Sequence, residues 1–125
     1  MIIESHAHYS HKRFDGAFRY LTGELTAREE QREDLLDRLR ESGVVLSIEP
    51  GIDFESNRRT AALYRQHPDF IRLAVGVHPT RTHQAPWRQR RQLEAWAREP
   101  GVAAIGETGL DYHLPRKHRL TQLLW

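Results

Sequence analysis

The chain contains no cysteine, so no disulfide framework can be inferred for it. It also has no apolar run near the ~20 residues of a membrane-spanning helix, which excludes a helical membrane protein. An excess of one charge is missing as well: 19 Lys and Arg oppose 17 Asp and Glu, so a pI near 9.3 does not by itself demand nucleic acid. The apolar h-region of a secretory signal is absent and the first residues read as a strand, so the expected residence is cytoplasmic, with no membrane partner. What is present is a globular composition, 38% hydrophobic and 29% charged, which rules out a disordered chain. A length of 125 residues suits one core, and residues 1–125 are read as one domain.

Most cations lie among acids. The stretch from Arg28 to Asp34 reads as a solvated helix face with i,i+4 pairs. The run from Arg88 to Arg91 is the one local basic cluster. It can meet phosphate, but with no interleaved aromatic a plain helix surface is the reading adopted.

Strands and helices alternate along the sequence. Ile2 to His6 reads as a buried strand. A polar loop follows, and Thr26 to Glu29 has the S/T-x-x-E form of a capping box that starts a helix. Leu35, Leu36 and Leu39 give that helix one apolar face, and Gly43 stands at its C-terminal cap. Val44 to Ile48 has the continuous apolar pattern of a strand buried on both faces. Asp53 caps a second helix that ends near His67-Pro68, and Ile71 to Val77 is the third strand. Pro86 opens a third helix carrying Leu93, Trp96 and Ala97; Pro100-Gly101 stops it, and Val102 to Ile105 is the fourth strand. Lys117 to Trp125 begins a fourth helix. Strands separated by whole helices imply parallel crossovers, hence an α/β fold. A (β/α)8 TIM barrel takes about 250 residues, so four such units amount to its first half.

In parallel α/β folds, functional groups gather at the carboxyl ends of the strands. His6 and His8 follow the first strand, and their i,i+2 spacing aims two imidazoles at one point, as a metal ion requires. Glu49 ends the second strand, His78 the third and Glu107 the fourth, so each strand delivers a polar group to one rim. Glu107 behind an apolar strand and the close-approach residue Gly106 needs a partner, either a metal or an arginine. His78 can orient a phosphate or a bound water, or it can fix its own loop. Asp111 and Tyr112 are read as positioning the rim loop. His11, His67, His83, His113 and His118 lie in loops or at helix ends, where solvated histidine is usual.

These motifs together resemble the TatD-type metal-dependent hydrolases, a branch of the amidohydrolase-like barrels that includes deoxyribonucleases. The likeness rests on Ser5 to His8, Gly76 to Pro79 and Ile105 to Tyr112, and runs over nearly the whole chain. It implies a TIM-type barrel with two divalent ions, Mg, Mn or Zn. His6 and His8 would bind one ion and Glu107 would bridge toward the second. It further implies hydrolysis of a phosphodiester, DNA or a relative of it, by metal-activated water.

The family usually has Asp where this chain has Glu4. Its remaining ligands, two histidines and the aspartate that activates water, belong to later strands, so no catalytic residue is identifiable within these 125 residues. The chain alone is expected to have low activity or none, and its open edges invite self-association or pairing with a missing carboxyl-terminal half. The alternatives are a related amidohydrolase-like enzyme acting on a non-phosphate bond and a non-catalytic fragment or interaction subunit.

Overall fold

The computed structural model describes residues 1–21, 27–115 and 118–125. In chain order these form β1 (Ile2–Glu4), β2 (Phe18–Leu21), β3 (Ala27–Glu30), α1 (Arg32–Glu41), β4 (Val44–Pro50), α2 (Phe54–Gln66), β5 (Ile71–Val75), α3 (Arg90–Trp96), β6 (Val102–Ile105) and α4 (Arg119–Leu124). Strands β1, β4, β5 and β6 build one sheet in that order, and every pairing in it is parallel. Four strands with helices between them are the α/β architecture of four β/α units, a half of a (β/α)8 barrel. Among the described residues no helix is long and apolar enough to cross a membrane.

The crossovers form for local reasons. Asp53 accepts the Ser56 amide at 2.8 Å while the Ser56 hydroxyl accepts the Asp53 amide at 2.9 Å, a reciprocal cap that starts α2 where the sequence placed it. Gly43, with φ of +89°, follows the Ser42 cap and lets the chain leave α1 in the left-handed region. On the helix side of the sheet, Ile71, Leu73 and Val75 alternate along β5 and pack with Leu36 of α1, Leu63 of α2 and Phe70.

Four expectations need correction. The helix does not start from a capping box at Thr26 to Glu29: Thr26 lies outside the described residues, and Ala27–Glu30 pairs antiparallel with Phe18–Leu21 in a hairpin within the stretch read as a loop. Cross-strand pairing there outweighs a local helix signal, and α1 begins after Gln31, whose amide donates to Asp34 at 3.0 Å. The stretch Arg28 to Asp34 is therefore half strand, and its charges are not i,i+4 helix pairs; Glu30 is instead held by both nitrogens of the Arg38 fork, at 2.9 and 2.8 Å. Strand β4 is not buried on both faces, because Val45 is 46% exposed. The third helix opens as a 3-10 turn over Trp87–Gln89, with Pro86 just before it, and becomes α-helical only at Arg90.

A fifth correction concerns the first strand, which spans Ile2–Glu4 rather than Ile2 to His6 and is not buried: as an edge strand it leaves Ile2 and Ile3, like Ile105 on β6, more than half exposed. Leu36→Ala, which empties a fully buried position, is expected to cost about 3 kcal/mol in urea unfolding. Val45→Ala on the open part of β4 should cost less than about 1 kcal/mol.

Candidate metal centre

Strand β1 stops at Glu4, so His6 and His8 lie just beyond it. The Ala7 amide nonetheless donates to the Ile48 carbonyl at 3.0 Å, so the chain keeps running along the edge of β4 and keeps its alternation. Both imidazoles therefore turn to one side, with their Nε2 atoms 3.1 Å apart. The Glu4 carboxylate accepts the His6 amide at 3.0 Å and fixes this bend.

Glu107 arrives from the far edge of the sheet. Its Oε1 lies 3.3 Å from His6 Nε2 and 3.4 Å from His8 Nε2, and the three donor atoms all fall within 4.8 Å of one another. Ligands ~2.1 Å from a tetrahedral ion stand ~3.4 Å apart, and the spacing shrinks to ~3.0 Å for right-angle geometry. The donor set matches that range. No arginine partner of Glu107 exists among the described residues; its near neighbours are histidines.

His78 completes the cluster from the β5 side, with Nε2 3.5 Å from Glu107 Oε2. The Thr80 amide donates to His78 Nδ1 at 3.2 Å, so in the neutral ring the proton sits on Nε2, aimed into the cleft. One ring thus serves both readings, loop anchor through Nδ1 and polar donor through Nε2.

The rim is stitched by backbone. Gly51 donates to Ala74 at 2.9 Å, Glu107 to Gly51 at 3.1 Å and His78 to Ile52 at 2.8 Å, which ties the ends of β4, β5 and β6 together. The close-approach glycine is Gly76 rather than Gly106. A Cβ on Gly76 would sit 2.5 to 2.7 Å from the Gly106 and Glu107 backbone, whereas one on Gly106 would meet only Ala74 at 3.8 Å. Buried Asn57 of α2 clips this point: its side chain donates to the Gly76 carbonyl at 2.7 Å and accepts the Gly76 amide at 3.3 Å.

Glu49 does not reach the rim, contrary to expectation. It alternates with Ser47 on the helix side, shares that face with Ile71 and Leu73 through the β4–β5 register, and is fully buried. Its carboxylate accepts the amides of Tyr9 and Ser10, the two residues after His8. The carbonyls of the same two residues accept Nε of Arg32 and of Arg59, each at 2.7 Å, and both guanidinium groups close on Asp15 at 2.6 Å. Burial pushes the Glu49 carboxyl above its ordinary range, opposed by the bonds from Ser10 and Tyr9. Arg59 foremost and then Arg32 hold Asp15 below its range. His8 is pushed down by burial, with Glu107 opposing, which favours the neutral ring that a metal needs.

This clamp escaped the sequence reading, as did Asn57. A carboxylate two residues from a serine within an apolar strand was the available signal. Of the remaining histidines, His67 is not solvated: it bridges the first two helices, 3.1 Å from Glu33 and 3.2 Å from Arg40. The Asp111 carboxylate accepts the His113 amide at 2.8 Å, the loop role expected of it. Around the ligands lies an open cleft of about 710 Å³, with Tyr9, His11, Arg13 and Arg81 at its mouth.

A histidine pair and a carboxylate thus meet at the carboxyl ends of parallel strands with the spacing that a metal ion requires. The model of the family "TatD related DNase" matches residues 3–123, and the chain belongs to that family. It is 33% identical over 82 residues to the "3'-5' ssDNA/RNA exonuclease TatD" of Erwinia tasmaniensis, covering 66% of this chain and 32% of that protein. The protein of the same name from Rahnella sp. is 34% identical over 90 residues, 68% of this chain and 32% of that one. The "Uncharacterized metal-dependent hydrolase TatD" of Mycobacterium tuberculosis is 34% identical over 84 residues, 65% and 30% respectively. The matched segments thus span about a third of the length of these relatives.

Glu49→Ala strands two amide donors beside His8 and is expected to cost about 2–4 kcal/mol in urea unfolding. The depressed Asp15 carboxyl contributes stability that is fully present above about pH 4 and is lost as pH falls through its lowered value. Asp15→Asn should therefore lower stability at pH 6 yet narrow its gap to the parent protein on acidification, as read from urea melts taken between pH 6 and 3.

Proposed function

We propose that this chain forms the first metal-binding wall of a hydrolase that cleaves phosphodiester bonds in single-stranded nucleic acid. The observation that carries the reading is the convergence of His6, His8 and Glu107 within 4.8 Å at the strand rim of a TatD-family chain. His6 and His8 would hold the divalent ion, and Glu107 would supply the negative charge that offsets it. When bound, the ion polarises a phosphoryl oxygen and lowers the pKa of a water. His78 donates its Nε2 proton to a phosphate oxygen, while Arg13 and Arg81 at the cleft mouth draw in the anionic strand.

Among the described residues the carboxylates lining the cleft are Glu4, whose Oε1 accepts the His6 amide, and Glu107, which faces the histidines, so both are already engaged. Turnover accordingly draws on a carboxylate outside these units, and completion of the barrel by a further four is part of the reading, supported by the open apolar edges at Ile2, Ile3 and Ile105. A second ion would likewise depend on ligands from that half.

Calorimetric titration with Zn or Mn is expected to show one ion per chain. Binding should vanish in His6→Ala/His8→Ala and weaken at least about tenfold in Glu107→Gln. Affinity that survives the double substitution would remove the proposal. Joined to the missing four units, the chain should degrade single-stranded DNA with added metal, and His78→Ala should slow that reaction by about 100-fold.

A further inference from the structure

We infer that the segment running from Arg81 to Arg91 is a docking track for single-stranded nucleic acid, extending the metal cleft outward to a basic and aromatic platform. The inference rests on the phosphodiesterase reading above for its ligand, but on residues outside the metal cluster for its evidence.

The run Arg88 to Arg91 looks like a plain charged helix face in sequence. In the structure an aromatic is built into it. Trp87 directly precedes the run, remains 47% exposed, and carries the Arg90 guanidinium over its ring at 4.9 Å. Arg90 also pairs with Glu94 at 3.0 Å, which holds it in that stacked position. Arg88 and Arg91 are exposed, and among the described residues neither has a carboxylate partner. These side chains enclose a hollow of about 450 Å³ with one acid, Glu94, against three arginines.

An exposed indole next to uncommitted cations is costly to maintain on a solvent-facing surface and suits a ligand with flat rings and regularly spaced negative charge. Bases stack on indole or on a guanidinium plane, and phosphates meet the free arginines. Duplex DNA hides its base faces and offers the indole nothing to stack on.

Position supports the same ligand. Because β5 and β6 are parallel, the connection between them leaves the rim at His78 and enters α3 from the rim side. A second hollow of about 430 Å³ shares His8, His11, Ile52 and Arg81 with the metal cleft and extends to Gln84. Trp87 is in turn joined through Trp125, at 5.8 Å, to Phe54, at 5.9 Å, two residues from Ile52. The hollow beside the metal cleft thus reaches Gln84, three residues before Trp87, and the aromatic contacts tie Trp87 back to the segment that carries Ile52.

The test is fluorescence anisotropy of a labelled 15-nucleotide oligothymidine in EDTA at low salt, which removes the metal centre from the measurement. Arg88→Gln/Arg91→Gln should weaken binding about tenfold and lower the slope of log affinity against log salt by about 1.4, two phosphates at ~0.7 each. Trp87→Ala should weaken it at least about fivefold, consistent with loss of a stacked base. Arg65→Gln, which removes an exposed cation near the far end of α2, should change neither quantity beyond error, and circular dichroism should show all variants folded. Unchanged affinity and slope in the double arginine variant would overturn the proposal, as would equal affinity for a 15-residue polyglutamate or for a duplex of the same length. If metal titration fails while the track variants behave as stated, the metal reading falls and the track stands; if metal binds and the track variants are silent, the reverse holds.

Discussion

Everything at the metal rim depends on a carboxylate that never touches it. Glu49 is buried under the first helices and receives the amides of Tyr9 and Ser10, so the residues immediately after His8 are held by a carboxyl group that cannot move. A buried carboxylate is tolerable when its lone pairs are filled by oriented donors, and an empty one would destabilise the fold. The carbonyls on the other side of the same two peptides go to Arg32 and Arg59, from α1 and α2. Two helices and a strand thus grip one dipeptide, and Asp15 ties the two guanidinium groups so that they act together.

That arrangement explains how a loop can serve as a metal-binding wall. His6 and His8 lie beyond the ladder of β1, where a free loop would let their rings spread, yet their Nε2 atoms stay in hydrogen-bond contact 3.1 Å apart. Held at Glu4 on one side and at Tyr9–Ser10 on the other, the rings stay together. A cation held there would take both ring nitrogens and the Glu107 carboxylate, and preorganisation of this kind would lower the ordering cost of holding it.

The alternation of strand and helix was legible in the sequence because each signal was local: the Asp53 cap, Gly43 after α1, and the apolar runs of β4 and β5. The meeting of His6, His8 and Glu107 was legible because strand order places all three at one end of the sheet. The β2–β3 hairpin was not, since pairing between Phe18–Leu21 and Ala27–Glu30 is decided by partners and not by either segment alone. Glu49 was misread for a related reason. Knowing that a carboxylate ends a strand does not reveal which face it takes, and the register with Ile71 and Leu73 put it on the helix side. Trp87 beside the basic run was adjacent in sequence, yet its stacking with Arg90 depends on the 3-10 turn that folds the tryptophan back.

The centre also reports the curvature of the sheet. β1 and β6 are its two edge strands, separated by β4 and β5. Flat spacing would set the edges ~14 Å apart, three intervals of ~4.8 Å. His6 and Glu107 nevertheless meet at 3.3 Å. Side-chain reach covers part of the gap, and the rest requires the sheet to curl toward the cleft, as barrel strands do. The Gly106–Glu107 backbone passes so close to Gly76 that a Cβ there would clash, and Asn57 holds Gly76 from the helix layer. Metal geometry and barrel curvature are therefore one constraint: a substitution that flattens the sheet at Gly76 must separate Glu107 from the histidines even if all three ligands remain in the chain.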